Sequence, residues 1–247
     1  MNFKDHFSGQ AREYARFRPR YPRALFEFIA AQAPDDEQAL DCATGNGQAA
    51  VALAEFFKKV IAIDASAAQI ASAEPNARVE YHVACAEATA LPDHCCAAIT
   101  VAQAIHWLDL DRFYREVRRV LIAGGVLAFW AYNYLRLNAD LEAIIRYYHD
   151  ELVGPYWPPE RKMVGRGYLE LAFPFEEIAH PSFQIEAHWT LDDLVGYLCT
   201  WSATQRYQEA KRSNPLEVII SELERAWGNP AAKRLAVWPL TLRIGRA

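Results

Sequence analysis

Residues 40–50, LDCATGNGQAA, constrain this chain more than any other stretch. A short apolar run, Ala39 to Ala43, leads into the turn Thr44-Gly45-Asn46-Gly47, and Gln48 to Lys58 then reads as a helix. Glycines at a strand-to-helix junction let the chain turn tightly. They also let a ligand approach the backbone, with the first amides of the helix facing it. A second apolar run, Lys59 to Asp64 (KVIAID), ends on an acid 19 residues after Gly45. Together these predict a βαβ unit, whose two strands run parallel.

The same rhythm continues downstream. Arg78 to Ala84 predicts a third strand, Ala97 to Ala102 a fourth after Pro92-Asp93, and Val126 to Tyr132 a fifth. Ser66 is placed to cap the helix after the second strand. Leu110 to Leu121 reads as a helix that Gly124-Gly125 ends. Strands alternating with helices imply a doubly wound α/β fold, a parallel sheet covered on both faces. Ahead of it, RALFEFIAAQ sets Leu25, Phe26, Ile29 and Ala30 on one helical face and stops before Pro34. After residue 135 the rhythm changes. Leu137 to Leu152 reads as a helix, and residues 154–168, with three Pro and three Gly, as an irregular or mobile loop. Phe183 to Trp189 reads as a strand, Thr190 to Trp201 and Pro215 to Trp227 as helices, and Leu235 to Ile244 as a last strand.

Composition narrows the function. The chain has 247 residues, 52% of them hydrophobic and 23% charged, which suits an ordinary globular domain. Its net charge of −5 argues against a nucleic-acid partner, which calls for a basic surplus or stripe. The opening MNFKDHFSGQ has no apolar run, so no secretory leader is expected. The longest charge-free stretch, Val120 to Leu135, is too short for a membrane span and is broken by two glycines. Five cysteines without a C-x-x-C pattern fit reduced thiols in a cytoplasmic protein. The cluster His82, Cys85, His94, Cys95 and Cys96 matches no common zinc spacing, and no metal is expected.

Taken alone, the loop is ambiguous, since Gly45-x-Gly47-x-x-Ala50 also satisfies the dinucleotide fingerprint. Three features lean away from a dinucleotide. Asp41, in the strand, suits an ammonium or sulfonium and is awkward beside a pyrophosphate. Some 35 aromatic and Arg-rich residues precede the first strand. Ala86-Glu87, after the third strand, sets a carboxylate where an adenine edge would lie. Asp64, at the end of the second strand, is where an acid meets the two hydroxyls of a ribose.

Asp41-x-Ala43-x-Gly45-x-Gly47, then Asp64, Ala86-Glu87, the Leu91-Pro92 turn and Gly124-Gly125 together resemble a class I S-adenosylmethionine-dependent methyltransferase. Tyr14-x-x-x-Arg18-Pro19-x-Tyr21-Pro22 and Gln103-Ala104-Ile105-His106-Trp107 resemble its small-molecule branch, type 11 and trans-aconitate methyltransferase-like. The resemblance covers roughly residues 5–132 and implies S-adenosyl-L-methionine as cofactor. It also implies a Rossmann-like, seven-stranded, mostly parallel sheet with an antiparallel last strand beside the sixth. One domain, 1–247, would comprise a cofactor-covering helical segment (1–35), a cofactor-binding core (36–135), a helical cap insertion (136–180) and C-terminal helices with late strands (181–247).

Carried over by residue, Asp41 and the backbone of Ala43, Gly45 and Gly47 would hold the methionine part. Asp64 would take the ribose hydroxyls and Ala65 the adenine face, with Ala86 and Glu87 at the adenine amino end. Gln103 would lie beneath the sulfonium, and Tyr14 and Arg18 would close over the cofactor. Ala43 stands where the family has its first glycine. Alanine is tolerated there if φ is negative, and the loop is strained if it is not.

The acceptor side is expected between the sheet edge, the N-terminal segment and residues 130–170, with Trp107, Trp130, Tyr132, Asn133, Tyr156, Trp157 and Trp201 as liners. His106 would either line this pocket or, as a neutral imidazole, take a proton from the nucleophile. A carboxylate acceptor, the first expectation, needs no base, and Arg136, Arg161 and Arg166 would supply its counter-charge. Tyr207-x-x-x-Lys211 matches a short-chain dehydrogenase pair but lies outside the βα rhythm. A nicotinamide-dependent oxidoreductase and a cofactor-binding protein without turnover remain the two alternatives. Composition leaves the oligomeric state open.

Overall fold

The computed structural model describes residues 17–132 and 134–247. The chain enters through α1 (Arg23–Gln32) and then alternates: β1 (Gln38–Cys42), α2 (Gln48–Leu53), β2 (Lys59–Asp64), α3 (Ala67–Ala71), β3 (Val79–Val83). β4 (Cys96–Ala102), α4 (Leu110–Val120) and β5 (Leu121–Tyr132) complete the parallel part. The remainder comprises α5 (Ala139–Tyr147), α6 (Arg161–Gly165), β6 (Glu176–Glu177), β7 (Gln184–Trp189), α7 (Leu191–Cys199), α8 (Ser202–Lys211), α9 (Ile220–Trp227) and β8 (Arg234–Arg246).

The sheet order is β3-β2-β1-β4-β5-β8-β6, with β7 also on β8. β3, β2, β1, β4 and β5 pair in parallel, and β8 pairs antiparallel with β5, β6 and β7. Seven strands have five or more residues, as the resemblance implies, and β6 adds a two-residue edge. The last strand lies antiparallel between β5 and the late strands. The order reverses between β1 and β4, so the loops after both strands border one crevice at the carboxyl edge.

Strand alternation sorts the side chains into two cores. Ala39, Val60, Ala62, Ala98 and Trp130 face α1 and α2 through Leu25, Phe26, Ile29 and Leu53. Leu40, Ile61, Ile63, Ile99 and Phe129 face α4 through Phe113, Val117 and Val120. A third cluster joins α5 to α7, α9, β7 and β8 around Tyr148, Tyr197, Trp227 and Trp238. Among the described residues no helix is long and apolar enough to cross a membrane.

The structure departs from the sequence expectation at four places. Gly124-Gly125 lie inside β5, which begins at Leu121. Between the pairs Cys96–Leu121 and Ala98–Val126, β5 advances five residues while β4 advances two. This is a wide bulge, with Gly124 at φ 76°. α2 stops at Leu53 and turns, short of Lys58. Residues 154–168 are a helical turn followed by α6, anchored by buried Val164 and Tyr168. Ser202–Lys211 is a helix that the sequence pattern does not announce.

Candidate active site

The loop after β1 is built on two left-handed glycines, Gly45 (φ 59°) and Gly47 (φ 86°). A Cβ on Gly47 would run into the Tyr81 ring, its Cε1 lying 2.9 Å away, so any other residue there is strained and must displace that ring. A Cβ on Gly45 would meet nothing nearer than Gln69 Oε1 at 3.8 Å, which leaves that backbone open to a ligand. Ala43 also sits at positive φ, 51°. The alanine is therefore strained, at a cost of about 1–2 kcal/mol.

Two carboxylates organise this loop from below. Asp41 is fully buried and accepts hydrogen bonds from Thr44 Oγ1 (2.6 Å) and Thr100 Oγ1 (2.7 Å). Burial pushes its pKa up to about 6 against the pull of the two hydroxyls, and the nearby Asp64 charge adds to the rise. Asp64 ends β2, where its Oδ2 accepts the Gly45 amide (2.9 Å) and its Oδ1 the Ser66 amide (2.8 Å). Ser66 in turn caps α3 through the Gln69 amide. Ala65 is half-buried beside Asp64.

Farther along the same edge, Ala86 is buried, and Glu87 is half-buried with Oε1 on the Asp109 amide (3.0 Å) at the start of α4. Gln103 follows β4 at φ 57°. Its amide donates to Trp130 O (2.8 Å) and its Nε2 to Tyr132 O (3.1 Å). A non-glycine residue in this region is held there by its surroundings, a form of strain that collects at functional sites.

A cavity of ≈ 70 Å³ opens beside Gln103. Of the residues expected on the acceptor side, His106, Trp107, Tyr132, Trp157 and Trp201 line it. Trp107 packs on the His106 ring at 4.6 Å, and Trp157 on Trp201 at 5.5 Å. Arg18 and Arg161 line it as well. Arg18 donates to the Tyr132 hydroxyl (3.1 Å) and Thr200 O (3.3 Å), and Arg161 lies over the Trp157 ring at 5.2 Å. His106 is 9% exposed, and burial, with the Arg161 charge, lowers its pKa to about 3. The imidazole is neutral across the physiological range.

Other expected liners lie elsewhere. Trp130 is fully buried against Tyr21 and Phe26 (ring centroids at 5.5 and 5.8 Å) and does not reach the cavity. Two residues inside the end of β5, it points into the core under α1. Tyr156 packs on Tyr207 at 5.1 Å, outside the lining, and Lys211 is exposed. Arg166 pairs with Glu170 on the surface, and Arg136 is exposed and bridges by its backbone to Val237. Tyr14 and Asn133 lie outside the described residues. Among the described residues no group of three or more His, Cys, Asp or Glu is arranged to hold a metal.

Sequence reasoning missed Tyr197, Ser202, Pro158 and Val164 in the lining, together with Tyr168, which bonds His106 from behind. Thr100, which bonds Asp41, was missed too, although it carries a signal as the lone hydroxyl in the apolar run of β4.

Comparisons with known proteins agree on the class. Residues 40–129 match the methyltransferase domain family. A Dictyostelium discoideum protein named as a methyltransferase is 33% identical, the match covering 91% of this chain and 87% of that one. A Saccharomyces cerevisiae protein named as an S-adenosylmethionine-dependent methyltransferase, CRG1, is 28% identical over 56% of this chain and 51% of its own length. A solved structure from Anaeromyxobacter dehalogenans, titled as a type II methyltransferase, superposes with a TM-score of 0.88 at 44% identity, covering 93% of this chain and 98% of that one. With its loop, sheet order and relatives in accord, the chain belongs to the class I S-adenosylmethionine-dependent methyltransferases.

Proposed function

We propose that this chain methylates the carboxylate of a small organic acid. The observation that carries the reading is the cavity beside Gln103. It combines two guanidiniums, Arg18 and Arg161, with aromatic walls, and its described lining holds no Asp or Glu. Apolar walls with a few convergent polar groups suit a small organic ligand, and paired arginines suit a carboxylate. Both arginines are assigned to the acceptor, Arg18 in place of the cofactor contact that the resemblance implies.

The cradle fits S-adenosylmethionine. The loop backbone is open above Gly45, and Asp41 beneath it suits the positive charge of an ammonium or a sulfonium. Asp64 would take the ribose hydroxyls, Ala65 the adenine face, and Ala86 and Glu87 the adenine amino end. Asp41 would act through the loop it holds, with the Gly45 and Gly47 backbone along the methionine part and Gln103 beneath the sulfonium. The cofactor supplies an electrophilic methyl group when bound.

A carboxylate is already ionised near neutral pH. Such an oxygen, held by Arg18 and Arg161, would take the methyl group directly, its new C–O bond replacing the C–S bond of the bound cofactor, whose electron pair would stay on sulfur. The products are a methyl ester and S-adenosylhomocysteine, and no proton moves. Catalysis then rests on holding the two reactants in line at about 3–3.5 Å with water excluded. Family membership decides against the nicotinamide alternative. The idle-binding alternative predicts cofactor binding without S-adenosylhomocysteine release.

The test is S-adenosylhomocysteine release over a panel of carboxylic acids, their amides, phenols and amines. Acids alone should turn over. Arg161→Met should raise KM for the best acid about 10- to 100-fold, the loss of one charged hydrogen bond, with cofactor affinity unchanged. Turnover confined to phenols or amines would overturn the reading.

A further inference from the structure

The carboxylate reading gives His106 no proton to take, yet the structure fixes this side chain firmly. A hydrogen bond of 2.8 Å joins His106 Nδ1 to the Tyr168 hydroxyl. Tyr168 is itself over-determined. It follows left-handed Gly167 (φ 64°) and is left-handed too (φ 59°), which costs a tyrosine about 1–2 kcal/mol. Its amide donates to Met163 O (3.0 Å), and its carbonyl accepts from buried Arg243 Nη1 (3.0 Å). Arg243 is clamped in two-point fashion by Glu177, Nε to Oε2 at 3.0 Å and Nη2 to Oε1 at 2.6 Å. The sheet edge thus anchors Tyr168, and Tyr168 anchors His106.

The donor inventory then sets the tautomer. A phenol carries one proton to donate, and a buried hydroxyl left without an acceptor costs stability. Among the described residues the only hydrogen-bond partner of the Tyr168 hydroxyl is His106 Nδ1. The hydroxyl therefore donates to Nδ1, and the ring proton resides on Nε2. His106 lines the cavity with Nδ1 already engaged, so Nε2–H is the group it offers to a ligand.

We propose that Tyr168 holds His106 as the Nε2–H tautomer, so that His106 donates a hydrogen bond to an anionic acceptor and takes no proton from it. His106 then joins Arg18 and Arg161 as a third donor to the acceptor carboxylate, and Tyr168 is its positioning residue. The low pKa of His106 supports this, because the ring stays neutral beside Arg161. This inference rests on the carboxylate reading only for the identity of the acceptor; the tautomer stands apart from it.

Long-range proton–nitrogen NMR on histidine-labelled protein with S-adenosylhomocysteine reads the tautomer, with His106→Gln assigning the signal. The expected result is Nε2–H, unchanged from about pH 5 to about pH 8. Tyr168→Phe should give a mixture of tautomers. Acetate, benzoate and succinate, titrated in turn, should include at least one that moves the Nε2–H signal. In turnover, His106→Leu should raise KM about tenfold, and His106→Gln, which restores an N–H donor, should recover most of that loss. A ring protonated at Nδ1, or a Gln variant as impaired as the Leu variant, would overturn the proposal and leave the carboxylate reading standing. A correct tautomer that no carboxylate perturbs would overturn the donor role and the carboxylate reading together.

Discussion

Asp41 is a carboxylate placed where burial works against its charge. It is fully buried, and its pKa rises from 3.8 to about 6. The folded protein therefore keeps a proton over a range in which the unfolded chain has lost it, so stability falls as pH climbs from about 4 to about 6. At 1.36 kcal/mol per pH unit, the ionised form costs the fold about 3 kcal/mol at neutral pH. Asp41→Asn removes that cost. It also forces one of the two threonine hydroxyls to turn from donor to acceptor, a loss of about 1 kcal/mol. The net expectation above about pH 7 is a gain of about 2 kcal/mol, or a Tm rise of roughly 4–8 °C. The gain should fall as pH drops, and below about pH 4, where the carboxyl is protonated in both states, only the loss of about 1 kcal/mol should remain, leaving the variant slightly the less stable. Thermal unfolding followed by circular dichroism without cofactor, across that range, reads the effect. The same variant should bind S-adenosylhomocysteine severalfold more weakly, since the negative potential under the loop is gone. A variant less stable than the parent at about pH 8, or a difference that does not change with pH, would refute the reasoning.

Three further outcomes follow from the loop and the cap. Ala43→Gly relieves about 1–2 kcal/mol of left-handed strain against about 0.5–1 kcal/mol of glycine entropy, so denaturant unfolding should show a gain of about 0.5–1 kcal/mol. Gly47→Ala must push Tyr81 aside at φ 86° and should weaken S-adenosylhomocysteine binding at least tenfold, measured by fluorescence titration. Arg243→Met leaves the Tyr168 and Leu171 carbonyls without their buried donor and should cost about 2–4 kcal/mol in urea unfolding.

The parts legible in the sequence are those set by local chemistry. KVIAID bounds β2, Ser66 caps α3, and the glycines of the β1 loop make the tight turn expected of them, at positive φ. The antiparallel β8 was legible only through the family resemblance, since a strand's direction is set by its partners. Gly124-Gly125 misled because a helix stop and a bulge draw on the same residue type, and only the β4 register separates them. Residues 154–168 read as loop because Val164 and Tyr168 order that segment through tertiary burial. α8 was invisible because Ala203 and Thr204 alone are buried along it, too thin a stripe to show a period. Trp130 was placed in the pocket on residue type; strand alternation turns it under α1 instead. Arg161 was one of three arginines with equal claim, and only α6 brings it beside His106 and Trp157.

The assignment of S-adenosylmethionine to the β1 loop and Asp64 stands or falls on affinity. Titration calorimetry of S-adenosylhomocysteine into the protein and into Asp64→Ala tests it most directly. Binding to the protein should be micromolar, and binding to the variant, which loses a charged acceptor for the ribose, at least tenfold weaker with an unchanged circular dichroism spectrum. Equal affinity for both proteins would contradict it.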